Sequence, residues 1–98
     1  MGTDEGVNKK GHKWIKIGQL NSNNNLDGIG RLVFETGEIQ EGQFKNGKMD
    51  GYARNIYPTG DYYIGQFKDY KKNGYGKYFF TTIGEYSEGE WKDDYFVG

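Results

Sequence analysis

The segment YIGQFKDYKKNGYGKY, residues 63–78, decides the fold of this 98-residue chain. It contains two short runs rich in aromatic residues, one around Gly65 and Phe67 and the other around Gly74 and Gly76, with a polar stretch between them. Glycine is unfavourable inside a helix, whereas aromatic residues favour strands. Glycine inside a strand usually indicates that another group approaches closely. We therefore interpret the segment as two strands of one hairpin.

Glycines repeat this segment along the chain in three series that stay in phase. The first series has intervals of 24, 23 and 24 residues, and a large apolar residue follows two positions later. Its glycines are Gly18, Gly42, Gly65 and Gly89, followed by Leu20, Phe44, Phe67 and Trp91. The second series is Gly28, Gly51 and Gly74, followed two positions later by Gly30, Ala53 and Gly76, and the third is Gly37, Gly60 and Gly84. Such periods are typical of repeat architectures, so we predict structural roles for Gly18, Gly28, Gly42, Gly51, Gly65, Gly74, Gly76 and Gly89.

The repeated unit resembles the MORN (membrane occupation and recognition nexus) motif, whose pattern is roughly YEGEWKNGK followed by GYG. Residues 41–48, EGQFKNGK, are nearly a direct copy, and residues 63–78 and 88–92 match closely. The motif's leading tyrosine is replaced by Lys16, Gln40 and Ser87 in three copies, and Ala53 replaces a glycine. We expect a lead segment, residues 1–15, that is partly flexible. A MORN-repeat domain, residues 16–98, then has repeats at about 16–39, 40–62 and 63–86 and a partial repeat at 87–98.

The resemblance and the residue pattern predict the same fold class. This class is all-β: a single-layer antiparallel β-sheet solenoid of consecutive β-hairpins. Asn46 and Gly47 form a short turn signal between two strand-like runs, and Pro58 to Asp61 would join one hairpin to the next. Alternation of side chains along a strand predicts that the ring of Phe44 lies over Gly51 or Ala53.

Residue types that usually carry out catalysis or bind metal ions are scarce in this chain. The chain has no cysteine and one histidine, His12, so we predict no catalytic residues, no metal site and no cofactor. The isoelectric point near 5.8 argues against nucleic acid as a partner. We therefore expect a protein that is not an enzyme. MORN repeats also occur as accessory segments of larger enzymes, which leaves that alternative open.

The first functional hypothesis is a protein-interaction scaffold. Tyrosine and tryptophan are enriched at interface hot spots, and we predict a partner-binding aromatic face. It comprises Leu20, Phe44, Tyr57, Tyr63, Phe67 and Trp91. The alternative is that these rings only cover glycines and neighbouring hairpins. The resemblance implies a structural subunit of a cytoskeletal, ciliary or organelle-associated assembly, and we expect an intracellular, cytoplasmic protein.

The second hypothesis is a peripheral membrane tether, because the family has been proposed to bind anionic phospholipids. Four lysines near Trp14 would contact the anionic surface: Lys9, Lys10, Lys13 and Lys16. Each basic residue near such a surface contributes roughly 1 kcal/mol. We favour protein binding over this alternative.

Two further features concern the sheet's surface and its edge. Basic residues recur after each ring and after each glycine pair, on the predicted face away from the rings, where Glu41, Glu88 and Glu90 would offset them. These columns are Lys45, Lys68 and Lys92, and Arg31, Arg54 and Lys77. We interpret them as a solvated face, with an acidic partner as the alternative.

The strand after Trp91 would be an open edge that allows self-association, unless Lys92, Asp93 and Asp94 block it.

Overall fold

A computed structural model describes residues 1–98 as one open antiparallel sheet of nine strands that pair in chain order. Each strand pairs only with the strands before and after it in the chain, which confirms the predicted solenoid of hairpins. The strands are β1 (Gly2–Val7), β2 (Lys13–Leu20), β3 (Leu26–Phe34), β4 (Ile39–Lys45), β5 (Lys48–Ile56), β6 (Tyr62–Lys68), β7 (Lys71–Phe80), β8 (Glu85–Lys92) and β9 (Tyr95–Phe96).

The two ends of the sheet lie in the lead segment and after Trp91. Strand β1 pairs with β2 from Gly2 opposite Gly18 to Val7 opposite Lys13, so the lead segment contributes strand to the sheet. At the other end, the strand that follows Trp91 is β9, which pairs with the end of β8 and is the last strand of the sheet, with no strand on its other side. A tight turn makes this return, and both of its residues, Asp93 and Asp94, have positive φ.

A row of small residues crosses the sheet at right angles to the strands. Its members lie opposite one another on β2 to β8: Gly18, Gly30, Gly42, Ala53, Gly65, Gly76 and Gly89. A Cβ atom added to Gly42 would lie 2.5 Å from the Ala53 Cα, and one added to Gly65 would lie 2.6 Å from the Tyr75 carbonyl oxygen. Glycine is therefore required at Gly42 and Gly65 because backbones approach each other, whereas at Gly30 and Gly76 a side chain, of Leu26 or Tyr63, occupies the space.

The large rings lie next to this row on one side of the sheet, which we call the ring face. Phe44 lies opposite Gly28 of the preceding hairpin and opposite Met49 of its own. The expectation that it lies over Gly51 or Ala53 is wrong, because the pairing shifts between Gly42 and Phe44. It is Phe67 that lies opposite Gly51, and Trp91 lies opposite Gly74. Each ring thus faces a glycine of the previous repeat, which links neighbouring hairpins.

The opposite side, the outer face, carries the charged columns. Glu41 lies directly between Arg31 and Arg54 on the neighbouring strands and forms an ion pair with each. The Arg31 Nε lies 3.5 Å from Glu41 Oε2. Both arginine side chains are about half exposed, so each pair contributes little to stability.

Candidate functional site

Most of the predicted partner-binding aromatic face is core. Phe44, Tyr63, Phe67 and Trp91 are all buried, and Tyr63 has no exposed surface. Leu20 and Tyr57 are partly buried against them. This burial favours the alternative that the rings cover glycines and neighbouring hairpins, because four of the six residues are covered within the sheet.

The centre of this core is the Tyr63 ring. It makes edge contacts with Phe67 and Trp91 at centroid distances of 5.0 and 5.4 Å. Its hydroxyl donates a 3.0 Å hydrogen bond to the Gln66 carbonyl oxygen, and burial raises the pKa of Tyr63 to about 12. The Trp91 indole donates a 3.0 Å hydrogen bond to the Gly76 carbonyl oxygen. The Tyr63 hydroxyl and the Trp91 indole N–H thus donate to acceptors inside the protein and are not available to a partner.

The second and third repeats carry different residues at a pair of facing positions on the ring face. The third repeat places Tyr63 opposite Tyr78, and the second places Gln40 opposite Asn55. The ring of Tyr63 covers Gly76 so closely that an added Cβ would lie within 2.6 Å of three of its atoms. In the second repeat the residue corresponding to Gly76 is Ala53. A tyrosine at position 40 would overlap its methyl group, so two departures from the motif have one steric cause.

A polar cavity of about 290 Å³ lies where the second repeat lacks these rings, and we call it the amide pocket. Gln40 and Asn55 line it, and each is only 2% exposed. Gln40 Nε2 donates to the Tyr70 hydroxyl at 2.9 Å. Three of their amide atoms have no hydrogen-bond partner in the protein: Gln40 Oε1, Asn55 Oδ1 and Asn55 Nδ2. The remaining lining residues are Glu38, Met49, Tyr57, Phe67, Tyr70, Lys72 and Asp94.

One wall of the amide pocket is the side chain of Lys72. Its ammonium lies 3.5 Å from Asp94 Oδ1. It also lies 5.6 to 6.0 Å from the centroids of four rings, those of Tyr57, Tyr63, Tyr78 and Trp91. Burial raises the pKa of Tyr57, and the nearby Tyr78 and Asp94 raise it further. The nearby Asn55 side chain lowers the pKa of Tyr57, although its amide makes no hydrogen bond of normal geometry.

The outer face carries an apolar row that we call the outer ladder. It has one residue on each strand from β2 to β8, and each lies opposite the next. Its members are Ile15, Val33, Ile39, Ile56, Tyr62, Phe79 and Tyr86. Tyr62 and Phe79 stack with centroids 5.4 Å apart, and the end residues Ile15 and Tyr86 are 40% and 57% exposed. No other layer of the chain covers this row.

Further exposed apolar side chains lie on the same face as the outer ladder. Tyr52 is 60% exposed and Ile64 is 48% exposed, and both point to the outer face. Ile29 and Tyr75 are also at least half exposed. The sequence contained a signal for this surface that our reasoning missed. Every ladder residue lies three positions before or after a glycine-row residue.

The predicted lysine cluster is divided between surfaces. Lys9, Lys10 and Lys13 are exposed, but Lys16 lies on the ring face with its side chain 15% exposed. Its ammonium is 3.6 Å from Asp4 Oδ2 and 5.1 Å from the Trp14 ring centroid. The expectation of four lysines on one anionic-surface contact is therefore wrong for Lys16, because strand alternation turns it away from Lys13.

Sequence reasoning also missed a column of glutamines that closes each hairpin. Gln19, Gln43 and Gln66 follow the first glycine of their repeats, and each side-chain oxygen accepts a backbone N–H from the next strand. For Gln66 the donor is the Tyr75 N–H, at 2.8 Å. The same oxygen occupies the space where a Cβ at Gly74 would lie. The positive φ of Gly74, 106°, also favours glycine there.

Replacing Gln66 by alanine is expected to lower the free energy of unfolding by about 1 kcal/mol, because the Tyr75 N–H loses its acceptor. Urea denaturation measures the change. Gln66→Glu keeps an acceptor at the same position and serves as the control, with a smaller loss expected. An alanine variant as stable as the parent would show that the bond adds nothing to stability.

Comparison with known proteins gives one match. A family model described as the MORN repeat matches residues 41–62, 63–82 and 88–98, which together exceed half of the chain. No curated protein matches the chain. The structure contains no helix long and apolar enough to cross a membrane.

Proposed function

Since the chain belongs to the MORN-repeat family, a family of non-catalytic repeats generally associated with protein or membrane binding, we propose that it is a scaffold that holds a protein partner against its outer face. The chain itself carries out no catalysis under this proposal. The setting is a larger cytoskeletal, ciliary or organelle-associated assembly in the cytoplasm, as the family resemblance implies.

The outer ladder is the observation that supports this function. Large exposed apolar patches on a protein surface mark interaction sites. The seven ladder residues form an apolar row across seven strands. Ile64 lies next to this row beside Tyr62, and Tyr52 lies on the same face beyond Arg54. Beside it, Glu41 lies between Arg31 and Arg54, so charged groups border the apolar contact. This arrangement of apolar centre and polar rim is usual in protein interfaces.

The proposal predicts that Tyr52→Ser combined with Ile64→Ser weakens partner binding at least tenfold, because apolar contact area is lost. Both side chains are exposed, so we expect the fold to persist, which circular dichroism would verify. The measurement is a pull-down with the tagged chain from native extract, with and without detergent. The matched control is Lys45→Ser combined with Lys92→Ser, which changes exposed residues of the same face.

A defined set of proteins that survives detergent and is lost with the Tyr52/Ile64 variant would support the scaffold. Loss with the lysine control instead would indicate an acidic partner held by charge. Retention of the same proteins by both variants would refute the outer face as the contact. Self-association through the open edge after Trp91 would appear as recovery of untagged copies of the chain.

The peripheral membrane tether is the competing function, supported by the exposed Lys9, Lys10 and Lys13. Vesicles containing phosphatidylserine test it directly. The tether predicts that the chain binds these vesicles, and that binding is lost at high salt and in the triple variant with glutamine at these three positions. That result would refute the scaffold proposal in favour of the tether. Three lysines contribute roughly 3 kcal/mol at such a surface at most.

A further inference from the structure

We propose that the amide pocket is a second binding site, which takes a neutral amide group from a partner polypeptide. The amide belongs either to an asparagine or glutamine side chain or to the main chain of an extended segment. This site lies on the ring face, on the other side of the sheet from the outer ladder, and it does not depend on the scaffold contact proposed above.

The first support is the set of unpaired amide atoms. Buried polar groups in folded proteins almost always have a hydrogen-bond partner. Asn55 is 2% exposed, yet neither its oxygen nor its nitrogen has a partner in the protein. Gln40 is equally buried, and its oxygen is also unpaired. Two buried acceptors and one buried donor without an internal partner therefore belong to residues that line one cavity.

The second support is the chemistry that these atoms select. A primary amide offers N–H donors and a carbonyl acceptor on one planar group, which can pair with the free atoms of Gln40 and Asn55. A carboxylate offers no donor for the two free oxygens, and Glu38 and Asp94 would repel it. An ammonium offers no acceptor for Asn55 Nδ2, and Lys72 would repel it. A neutral amide avoids both conflicts.

The third support is the comparison between repeats within the chain. In the third repeat, Tyr63 and Tyr78 occupy the two corresponding positions and their rings fill the space. In the first repeat, these positions are Lys16 and Leu32. Only the second repeat places two carboxamides there. The cavity of about 290 Å³ has room for the side-chain amide of one residue.

The experiment follows the Asn55 side-chain amide signals in ¹⁵N–¹H NMR spectra of the whole chain. Three blocked peptides without a terminal primary amide are titrated: acetyl-Gly-Asn-Gly-N-methylamide, acetyl-Gly-Asp-Gly-N-methylamide and acetyl-Gly-Ala-Gly-N-methylamide. We expect the asparagine peptide to shift the Asn55 signals saturably and the aspartate peptide to leave them unchanged. An equal, saturable shift with the alanine peptide would assign the main-chain amide as the ligand group.

Variants separate binding from folding. Asn55→Leu is expected to abolish the response of the remaining pocket signals, those of the Gln40 side chain. Asn73→Leu, at an asparagine that does not line the pocket, is expected to retain it. The double variant Gln40→Tyr with Ala53→Gly rebuilds the third repeat's arrangement and is expected to close the pocket.

Two results would overturn the proposal. One is the absence of a saturable shift with all three peptides, which would make the pocket a hydrated cavity. The other is a full response in Asn55→Leu. The Tyr52/Ile64 variant of the outer face is expected to respond like the parent chain, so failure of the scaffold contact and failure of the amide site are distinguishable.

Discussion

Replacing Gly76 by alanine is expected to lower the free energy of unfolding by about 2–3 kcal/mol, which is a typical cost of overpacking a tightly packed core. The new methyl carbon would lie within 2.6 Å of three atoms of Tyr63, including the hydroxyl oxygen. Tyr63 cannot move aside easily, because it is fully buried between Phe67 and Trp91. Its hydroxyl is also held by the Gln66 carbonyl oxygen.

A double-mutant cycle identifies the ring as the cause. In a chain that already carries Tyr63→Gln, adding Gly76→Ala is expected to change the free energy of unfolding by less than about 0.5 kcal/mol. The double variant reproduces the Gln40 and Ala53 pair of the second repeat, which already coexists in the native sheet. Urea denaturation of the four proteins gives the coupling. An equal cost of the alanine in both backgrounds would place the conflict in the backbone instead of in the ring.

Replacing Trp91 by alanine is expected to lower the free energy of unfolding by about 3–5 kcal/mol, the usual cost of removing a buried ring of this size. The indole is 7% exposed and packs against Tyr63, Tyr78 and Phe96. It also donates the hydrogen bond to the Gly76 carbonyl oxygen. Thermal or urea unfolding measures the loss.

The matched control is Trp91→Phe, which keeps a ring over Gly74 but removes the indole N–H. Its expected loss is smaller, about 1–2 kcal/mol. Because each hairpin contacts only its neighbours, the damage from Trp91→Ala should stay local. Amide hydrogen exchange is expected to accelerate in β7 to β9 and to change little in β2 and β3. Equal acceleration throughout the sheet would show that the nine strands unfold as one unit.

The hairpins could be predicted from the sequence because their signal is local and periodic. The spacing of Gly65 and Phe67, repeated along the chain, is a property of each unit alone. The pairing register could not be predicted in the same way. The shift between Gly42 and Phe44 adds residues to one strand only, and simple alternation of side chains does not contain that information.

The candidate site was harder to predict, because burial depends on neighbouring hairpins. Tyr63 has the composition of an interface residue, and only the positions of Phe67 and Trp91 around it show that it is core. The outer ladder was available in the sequence, since Ile39 and Ile56 keep fixed offsets from Gly42 and Ala53. The three glutamines were overlooked because a polar residue on a strand suggests solvent exposure, and their backbone acceptor role appears only in the folded hairpin.

The glycine row also divides the walls of the amide pocket. Along this line the strands carry no side chain larger than a methyl group on the ring face, and the ring of Tyr63 folds over it at Gly76. Gln40 and Asn55 line the pocket on one side of the row, and Met49 and Phe67 line it on the other. Bending the sheet along the row would move these two walls relative to each other. A partner group held between them would therefore oppose that bending and stiffen the sheet.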